Sequence, residues 1–257
     1  MNRKLTVADL RAAKGNRILT EVFVTTGDEA AACEAAGIDM LVTPAPFYDR
    51  VRRGAPNTFL TVGLGQAGVI ASATELLRTA MTTMNDGADA VYTAAGFEWV
   101  AELAKQHVPV MGHVGYIPSR QTWTGGPRAI GKTRDEARKV YQDVLAYQEA
   151  GAVAVEMEVV PEAVATAIAS RVDLTVISLG SGGGCDAQYL FASDILGTTR
   201  GHVPRHAKRY ADIGAELERI QTMRIEAIAR FRADVEGGAY PAKEHLVAGY
   251  GDLVEEL

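Results

Sequence analysis

The feature that most constrains the fold is a repeated alternation of strand-like and helix-like segments along the 257 residues. Short apolar and β-branched runs predict strands, and runs with apolar residues at helical spacing predict helices. Predicted strands cover Ile18–Thr25, Asp39–Thr43, Thr58–Gly63, Ala88–Ala94, Val108–Gly112, the Glu156 and Glu158 run, Leu174–Leu179 and Asp194–Thr198. Predicted helices cover Thr6–Lys14, Asp28–Ala36, Ala71–Asp86, Phe97–Gln106, Asp135–Ala150, Glu162–Ser170, Ala187–Ala192 and Arg209–Glu236.

Eight strand and helix alternations in a chain of this length predict an α/β fold, a single-domain (β/α)8 TIM barrel over residues 1–257. The prediction includes a short N-terminal helix and a C-terminal helix followed by a tail. A doubly wound open sheet is the alternative.

Composition limits the partners and the compartment. The formal net charge of -6 and the pI near 5.5 argue against a nucleic-acid or anionic-membrane surface. The two cysteines, Cys33 and Cys185, lie far apart and form no metal-binding motif, which is typical of free thiols in a reducing compartment. The N-terminal segment lacks the apolar core of a signal peptide. We therefore expect a cytoplasmic protein with a small-molecule substrate, without nucleic-acid or membrane partners.

The stretch AVAVEMEVVP at Ala152–Pro161 carries the first candidate site. Glu156 and Glu158 are two apart on one strand, so their side chains share a face. The C-terminal ends of barrel strands are where such folds place their chemistry. Two partly desolvated carboxylates there would raise at least one pKa and provide a general acid or base. The alternative is that one glutamate only pairs with a basic residue at the barrel rim.

Other predicted strand ends supply further candidates. Thr43 ends the second strand, and His113, which ends the fifth, is as compatible with a structural histidine as with a catalytic one. The GSGGG turn, from Gly180 to Gly184, follows the seventh strand, where many barrels bind phosphate through backbone N–H groups, although small residues also suit a tight turn. The remaining histidines, His202, His206 and His245, match no zinc signature, and we expect them at a surface or an interface.

Several stretches together resemble the ketopantoate hydroxymethyltransferase family of the phosphoenolpyruvate mutase/isocitrate lyase superfamily. The resemblance runs in order through nearly the whole chain. The matching stretches are RRGAPN at Arg52, AGFEW at Ala95, PVMGHVGYIP at Pro109, EMEVVP at Glu156, GSGGGCDAQ at Gly180, GHVPRHAKRY at Gly201 and GAYPAKEH at Gly238.

The resemblance implies a barrel enzyme and a homo-oligomer. Family members hold a 2-oxo acid on a divalent metal, form an enolate by removing a proton from C3, and add a one-carbon unit from 5,10-methylenetetrahydrofolate. A metal stabilises such an enolate because negative charge develops on the oxygen. By resemblance, Glu158 matches the family's catalytic glutamate, His113 matches its site histidine, and Glu156 stands where the family usually has an apolar residue.

The resemblance also identifies positions where this chain departs from the family. Pro44, Gly63 and Ala94 stand at the family's acidic metal positions, and Tyr92 replaces a nearby lysine. These residues offer no carboxylate to a magnesium ion. We therefore predict that the family's metal site is missing and that the catalytic residues are Glu158, His113 and Glu156.

We expect the substrate to be bound by Thr43, Tyr92 and the turn Gly180, Ser181 and Gly182. Arg128 or Lys132 is expected to replace the charge of the metal.

The first hypothesis is a divergent hydroxymethyltransferase or aldol-type lyase acting on a small 2-oxo acid through an enolate. A metal-independent hydrolase or isomerase of a related acid, with the two glutamates activating a water, is the second. The third is a non-catalytic paralogue that binds a ligand or stabilises a hetero-oligomer.

Overall fold

Eight parallel strands form a closed barrel in the order β1 to β8, which confirms the predicted (β/α)8 architecture. The computed structural model describes residues 3–65, 70–247 and 249. The strands are β1 Leu19–Phe23, β2 Met40–Pro44, β3 Phe59–Gly63, β4 Ala90–Tyr92, β5 Val110–Gly115, β6 Ala154–Glu158, β7 Thr175–Leu179 and β8 Ala187–Phe191. The barrel closes because β1 pairs with β8 along its full length, from Leu19 with Ala187 to Phe23 with Phe191.

Helices follow most of the strands. They are α1 Val7–Ala13, α2 Gly27–Ala36, α3 Tyr48–Gly54, α4 Ala73–Asn85, α5 Phe97–Lys105, α6 Gln121–Thr124, α7 Arg134–Glu149, α8 Glu162–Ala169, α9 Ala192–Ile195 and α10 Ile213–Glu236. The side chains of Thr6, Thr26, Ser72 and Thr133 accept a backbone N–H at the starts of α1, α2, α4 and α7. Such caps satisfy N–H groups that have no partner inside the helix.

The prediction was wrong for the last β–α unit. Ala187–Ala192 was predicted as a helix and Asp194–Thr198 as a strand, whereas β8 occupies Ala187–Phe191 and the short helix α9 follows it. The aromatic residues Tyr189 and Phe191 favour a strand, and β8 must pair with β1 to close the barrel. The glycine-rich turn therefore leads directly from β7 to β8.

Two connections between strands contain helical turns. The connection through Tyr48–Arg53 forms α3 after a 3₁₀ turn at Ala45–Phe47. The polar loop Pro118–Lys132 contains the 3₁₀ turn Pro118–Arg120 and the short helix α6. Strand β5 also extends to Gly115, so that His113 lies within the strand.

The lower part of the barrel is filled with apolar side chains. Buried residues that pack together there include Leu19, Met40, Phe59, Met111 and Ile177. Burying this surface is the main source of stability for the fold. Charged and polar side chains are concentrated at the opposite, C-terminal ends of the strands.

The described chain divides into two compact units. The barrel unit runs to Ile195 and includes Thr199–Arg209, and the second unit comprises Leu196–Thr198 and the chain from Tyr210 onward. In the second unit, the ring of Tyr240 contacts Phe231 of α10 and His245. No helix in the described ranges has the length and apolar character needed to span a bilayer.

Candidate active site

Two neighbouring strands bring three ionisable side chains together at the C-terminal end of the barrel. In the pairing of β5 with β6, His113 lies opposite Glu156 and Gly115 lies opposite Glu158. Adjacent strands are about 4.8 Å apart, so residues in register have neighbouring side chains. The three residues predicted as catalytic therefore form one cluster.

The imidazole of His113 is the centre of this cluster. Its Nε2 is 3.1 Å from Glu158 Oε2 and 3.8 Å from Glu156 Oε1. Its Nδ1 is hydrogen bonded to the hydroxyl of Tyr92 on β4. His113, Glu156 and Tyr92 are buried, whereas Glu158 is partly exposed at the end of its strand. Tyr92 thus fixes the ring so that Nε2 faces the two carboxylates.

Burial and mutual charge perturb these groups. Burial raises the pKa of Glu156 to about 7, and the neighbouring carboxylate of Glu158 adds to this effect. Burial lowers the pKa of His113, but the charges of Glu156 and Glu158 raise it by more than burial lowers it. The net pKa therefore lies above its ordinary value. The cluster can therefore hold or release a proton near neutral pH.

A third buried carboxyl lies deeper in the barrel. Glu21 of β1 is paired in register with Tyr189 of β8, and neither of its carboxyl oxygens has a hydrogen-bond partner among the described residues. Burial raises the pKa of Glu21 to about 8, and the charge of Glu156 contributes to this shift. The sequence analysis missed Glu21 because it precedes the end of its strand.

Backbone strain directly follows Glu158. Val159 has a φ of 51°, in the left-handed region that a β-branched residue rarely adopts. Its N–H donates to the carbonyl of Leu179 at 2.8 Å, and its carbonyl accepts from the N–H of Ile130 at 3.1 Å. Such strain persists where surrounding bonds hold the backbone, and it is frequent at functional sites.

The glycine-rich turn after β7 supports the turn that carries Glu158. The Ser181 hydroxyl donates to the Met157 carbonyl at 2.8 Å and accepts from the Val160 N–H at 2.9 Å. The Gly182 carbonyl accepts a hydrogen bond from the Ser178 hydroxyl at 2.9 Å. These contacts show that hydrogen-bonding groups of the turn are used by neighbouring groups of the protein. The role of the turn in substrate binding stays a prediction.

Gly180, which begins this turn, lies directly beneath a histidine. Its φ is 70°, and a Cβ at this position would be 2.6 Å from Nδ1 of His206. His206 is half-buried, and burial lowers its pKa despite the charges of Glu158 and Asp194. From the sequence, His206 was expected at a surface or an interface, and its contact with Gly180 was not predicted.

The cluster forms the floor of a cavity of about 710 Å³, which we call the main cavity. Its lining includes the predicted site residues Thr43, Tyr92, His113, Glu156 and Glu158. Gly180, Ser181 and Gly182 are not among the described residues that line it. Most of the wall is apolar, formed by residues such as Phe23, Leu64, Trp99, Leu179 and Phe191. Enclosed apolar walls around a few polar groups are typical of small-molecule sites.

A neighbouring side cavity of about 420 Å³ holds the nearby cationic side chains. Arg128, proposed from sequence as a replacement for the metal, is paired with Glu136 at 2.8 Å and lines this side cavity. Lys132 lines neither cavity among the described residues. Arg120, which was not predicted from the sequence, donates a hydrogen bond to the carbonyl of Ala94, a residue of the wall of the main cavity.

The cluster is also compatible with a divalent cation. His113, Glu156 and Glu158 each offer one ligand atom, and these atoms all lie within 4.8 Å of one another. Imidazole nitrogen and carboxylate oxygen are common ligands of divalent metals. An enclosed apolar cavity with acid–base or cation-binding groups at the strand ends defines a barrel enzyme that acts on small molecules.

Comparison with known proteins identifies the family. The model of the ketopantoate hydroxymethyltransferase family matches residues 38–243. The 3-methyl-2-oxobutanoate hydroxymethyltransferase of Deinococcus radiodurans is 36% identical over 264 residues, covering 92% of this chain and 90% of that protein. The enzyme of the same name from Thermus thermophilus is 33% identical over 267 residues, covering 93% of this chain and 98% of that protein. The chain belongs to the ketopantoate hydroxymethyltransferase family, and the resemblance seen in the sequence is confirmed.

Solved structures show the wider fold relationship. The 2,3-dimethylmalate lyase, a member of the PEP mutase/isocitrate lyase superfamily, aligns with a TM-score of 0.53 at 13% identity, covering 98% of both chains. A phosphonopyruvate hydrolase in complex with oxalate and Mg²⁺ also aligns with a TM-score of 0.53, at 14% identity, covering 98% of this chain and 94% of that chain. At such identities the likeness establishes the shared barrel fold.

Proposed function

We propose that the protein forms or cleaves a C–C bond at C3 of a small 2-oxo acid through an enolate. The observation that carries this proposal is the arrangement at the floor of the main cavity, where Tyr92 is hydrogen bonded to Nδ1 of His113 and Glu158 Oε2 lies 3.1 Å from Nε2 of the same ring. The names of the relatives make 3-methyl-2-oxobutanoate the first substrate to test. The family resemblance makes 5,10-methylenetetrahydrofolate the first one-carbon donor to test.

In this mechanism Glu158 moves the proton. Its Oε2 is held 3.1 Å from His113 Nε2, which leaves the second carboxylate oxygen to accept a proton from C3 of the substrate. Because Glu158 is the most exposed of the three clustered groups, its carboxylate meets the substrate first. A carboxylate in this position acts as a general base when it is within hydrogen-bond reach of the departing proton.

His113 positions the base. Tyr92 fixes the ring through Nδ1, so Nε2 stays directed at Glu158. Glu156 lies 3.8 Å from the same Nε2, and its negative charge stabilises the protonated imidazole. The ring can therefore take up the proton that Glu158 receives, and most of the described wall beside the enolate is apolar.

The same side chains would hold a divalent metal if the enzyme uses one, since their donor atoms converge. When bound, such a cation supplies Lewis-acid polarisation of the 2-oxo group. The proposed proton transfer at Glu158 does not depend on whether that polarisation comes from a metal or from the protonated imidazole of His113.

The experiment is hydrogen–deuterium exchange at C3 of 3-methyl-2-oxobutanoate and related 2-oxo acids, followed by NMR in D₂O. We expect exchange with the wild-type protein and with the control Glu98→Gln, an exposed carboxylate on α5. Exchange should fall by at least about 100-fold in Glu158→Gln, as for loss of a general base. If no 2-oxo acid exchanges with the wild-type protein, either with added Mg²⁺ and Mn²⁺ or with chelator, the proposal is wrong.

A further inference from the structure

The side chains that line the main cavity do not favour binding of an acidic substrate unless a further positive charge is present. Glu156 and Glu158 line it, Glu21 lies beneath, and none of the lining residues within the described ranges is lysine or arginine. A 2-oxo acid carries its own carboxylate, and like charges repel strongly in a poorly hydrated cavity. Among the described lining residues, only the imidazole of His113 can carry a positive charge opposite these groups.

The cationic side chains next to this cavity are already engaged. Arg128 pairs with Glu136 at 2.8 Å, and Lys139 of α7 pairs with Asp143. The Arg120 guanidinium donates to a backbone carbonyl. All three line the side cavity, so they leave the charge on the floor of the main cavity uncompensated.

The donor atoms of the floor are arranged as a ligand set. Although Nε2 of the buried His113 is 3.1 Å from Glu158 Oε2, it makes no hydrogen bond of acceptable geometry. Separations of 3.1 and 3.8 Å from Nε2 to the two carboxylate oxygens suit ligands of one ion, because metal–ligand bonds of about 2.1 Å place adjacent ligand atoms about 3 Å apart. Tyr92 holds Nδ1, as an outer partner holds a metal-bound histidine.

We propose that His113, Glu156 and Glu158 form a divalent-cation site on β5 and β6, distinct from the positions Pro44 and Gly63 at the ends of β2 and β3 and from Ala94, which follows β4. One imidazole and two carboxylates favour a transition-series ion such as Mn²⁺ over Mg²⁺, which prefers oxygen ligands. Glu158 binds through the oxygen that faces His113, so its second oxygen stays available to the substrate. The catalytic use of this ion rests on the proposed function, whereas the binding site does not.

The test is a titration of chelator-treated full-length protein with Mn²⁺, followed by electron paramagnetic resonance. We expect one Mn²⁺ site per chain in the wild type and in Glu98→Gln, and affinity at least about tenfold lower in Glu156→Gln and His113→Asn. Mg²⁺ should compete for this site only weakly. If the wild type binds no Mn²⁺, or if both variants bind it as the control does, the proposal is overturned.

A second measurement does not require a substituted protein to fold. Bound Mn²⁺ should broaden the NMR signals of the His113 ring in the wild type selectively, relative to exposed His202. Ring signals of His113 that stay sharp at saturation would overturn the proposal. Mn²⁺ binding without C3 exchange would reject the proposed function alone, whereas exchange without Mn²⁺ binding would reject the cation site alone.

Discussion

The Ser181 hydroxyl connects the two ends of the turn that carries Glu158. It donates to the Met157 carbonyl at 2.8 Å and accepts from the Val160 N–H at 2.9 Å, and Ser181 is only 1% exposed. Ser181→Ala would remove both bonds and leave one buried donor and one buried acceptor without these partners. Each such group costs about 1–2 kcal/mol, so we expect a loss of about 2–4 kcal/mol in the free energy of unfolding.

The same substitution should impair catalysis. Val159, inside this turn, keeps its left-handed backbone only while its surroundings hold it, so a loosened turn would displace Glu158. We expect the C3 exchange rate to fall about tenfold or more with little change in substrate affinity, since small displacements of a catalytic group are costly. Urea unfolding followed by circular dichroism measures the stability, and NMR measures the exchange.

Ser170→Ala is the matched control. The Ser170 hydroxyl donates to the Ala167 carbonyl at 3.1 Å at an exposed helix end, so its loss should change stability by less than about 0.5 kcal/mol. Equal stability of the Ser181 and Ser170 variants would refute the hydrogen-bond argument. A destabilised Ser181→Ala that exchanges at the wild-type rate would refute the positioning of Glu158 by this turn.

Three further substitutions test other parts of the barrel. The pKa of Glu21 is raised to about 8 in the folded protein, so its contribution to stability is complete below about pH 4.5 and is lost as the pH rises through 8. Glu21→Gln should therefore remove a decline on the order of 5 kcal/mol from the profile of unfolding free energy against pH, and an unchanged profile would contradict this. Tyr92→Phe should slow C3 exchange about tenfold and lower the free energy of unfolding by about 1–2 kcal/mol, because the buried ring of His113 loses its partner at Nδ1. An unaffected rate would show that Tyr92 does not position the ring. Gly180→Ala should lower the free energy of unfolding, measured by thermal unfolding, by at least about 1 kcal/mol more than Gly201→Ala. Both glycines have a positive φ, but only Gly180 has a histidine ring within 4 Å of the added Cβ. Equal losses of stability in the two variants would contradict this contact.

The sequence predicted most of the barrel because its local signals agree. Alternating strand and helix patterns located seven of the eight strands, and helix caps such as Thr6 and Thr133 marked helix starts. The error at β8 arose where a short segment, Ala187–Phe191, has no strong period of its own and is fixed by its pairing with β1. Pairing over a long sequence separation is not visible in a local pattern.

The sequence also singled out the three residues that the structure brings into one cluster, but not their arrangement. Strand ends indicated His113 and Glu158, whereas their contact depends on the register between β5 and β6. Glu21 was missed because its effect depends on its pairing next to Tyr189. The supporting contacts of Ser181 and the strained Val159 depend on tertiary structure, for which a single sequence carries no signal.

Substitution of Glu156 tests whether this carboxylate destabilises the fold and serves as a ligand of the proposed cation. The family resemblance indicates an apolar residue at this position, and a buried carboxylate costs free energy unless it is compensated. In chelator-treated protein, Glu156→Leu should therefore raise the free energy of unfolding by about 1–3 kcal/mol while abolishing Mn²⁺ binding. A variant that is less stable than the wild type and still binds Mn²⁺ would show that Glu156 is a structural residue. Since side chains from all eight strands of a closed barrel reach one central cavity, a carboxylate on β6 can supply charge to that cavity without any change of fold.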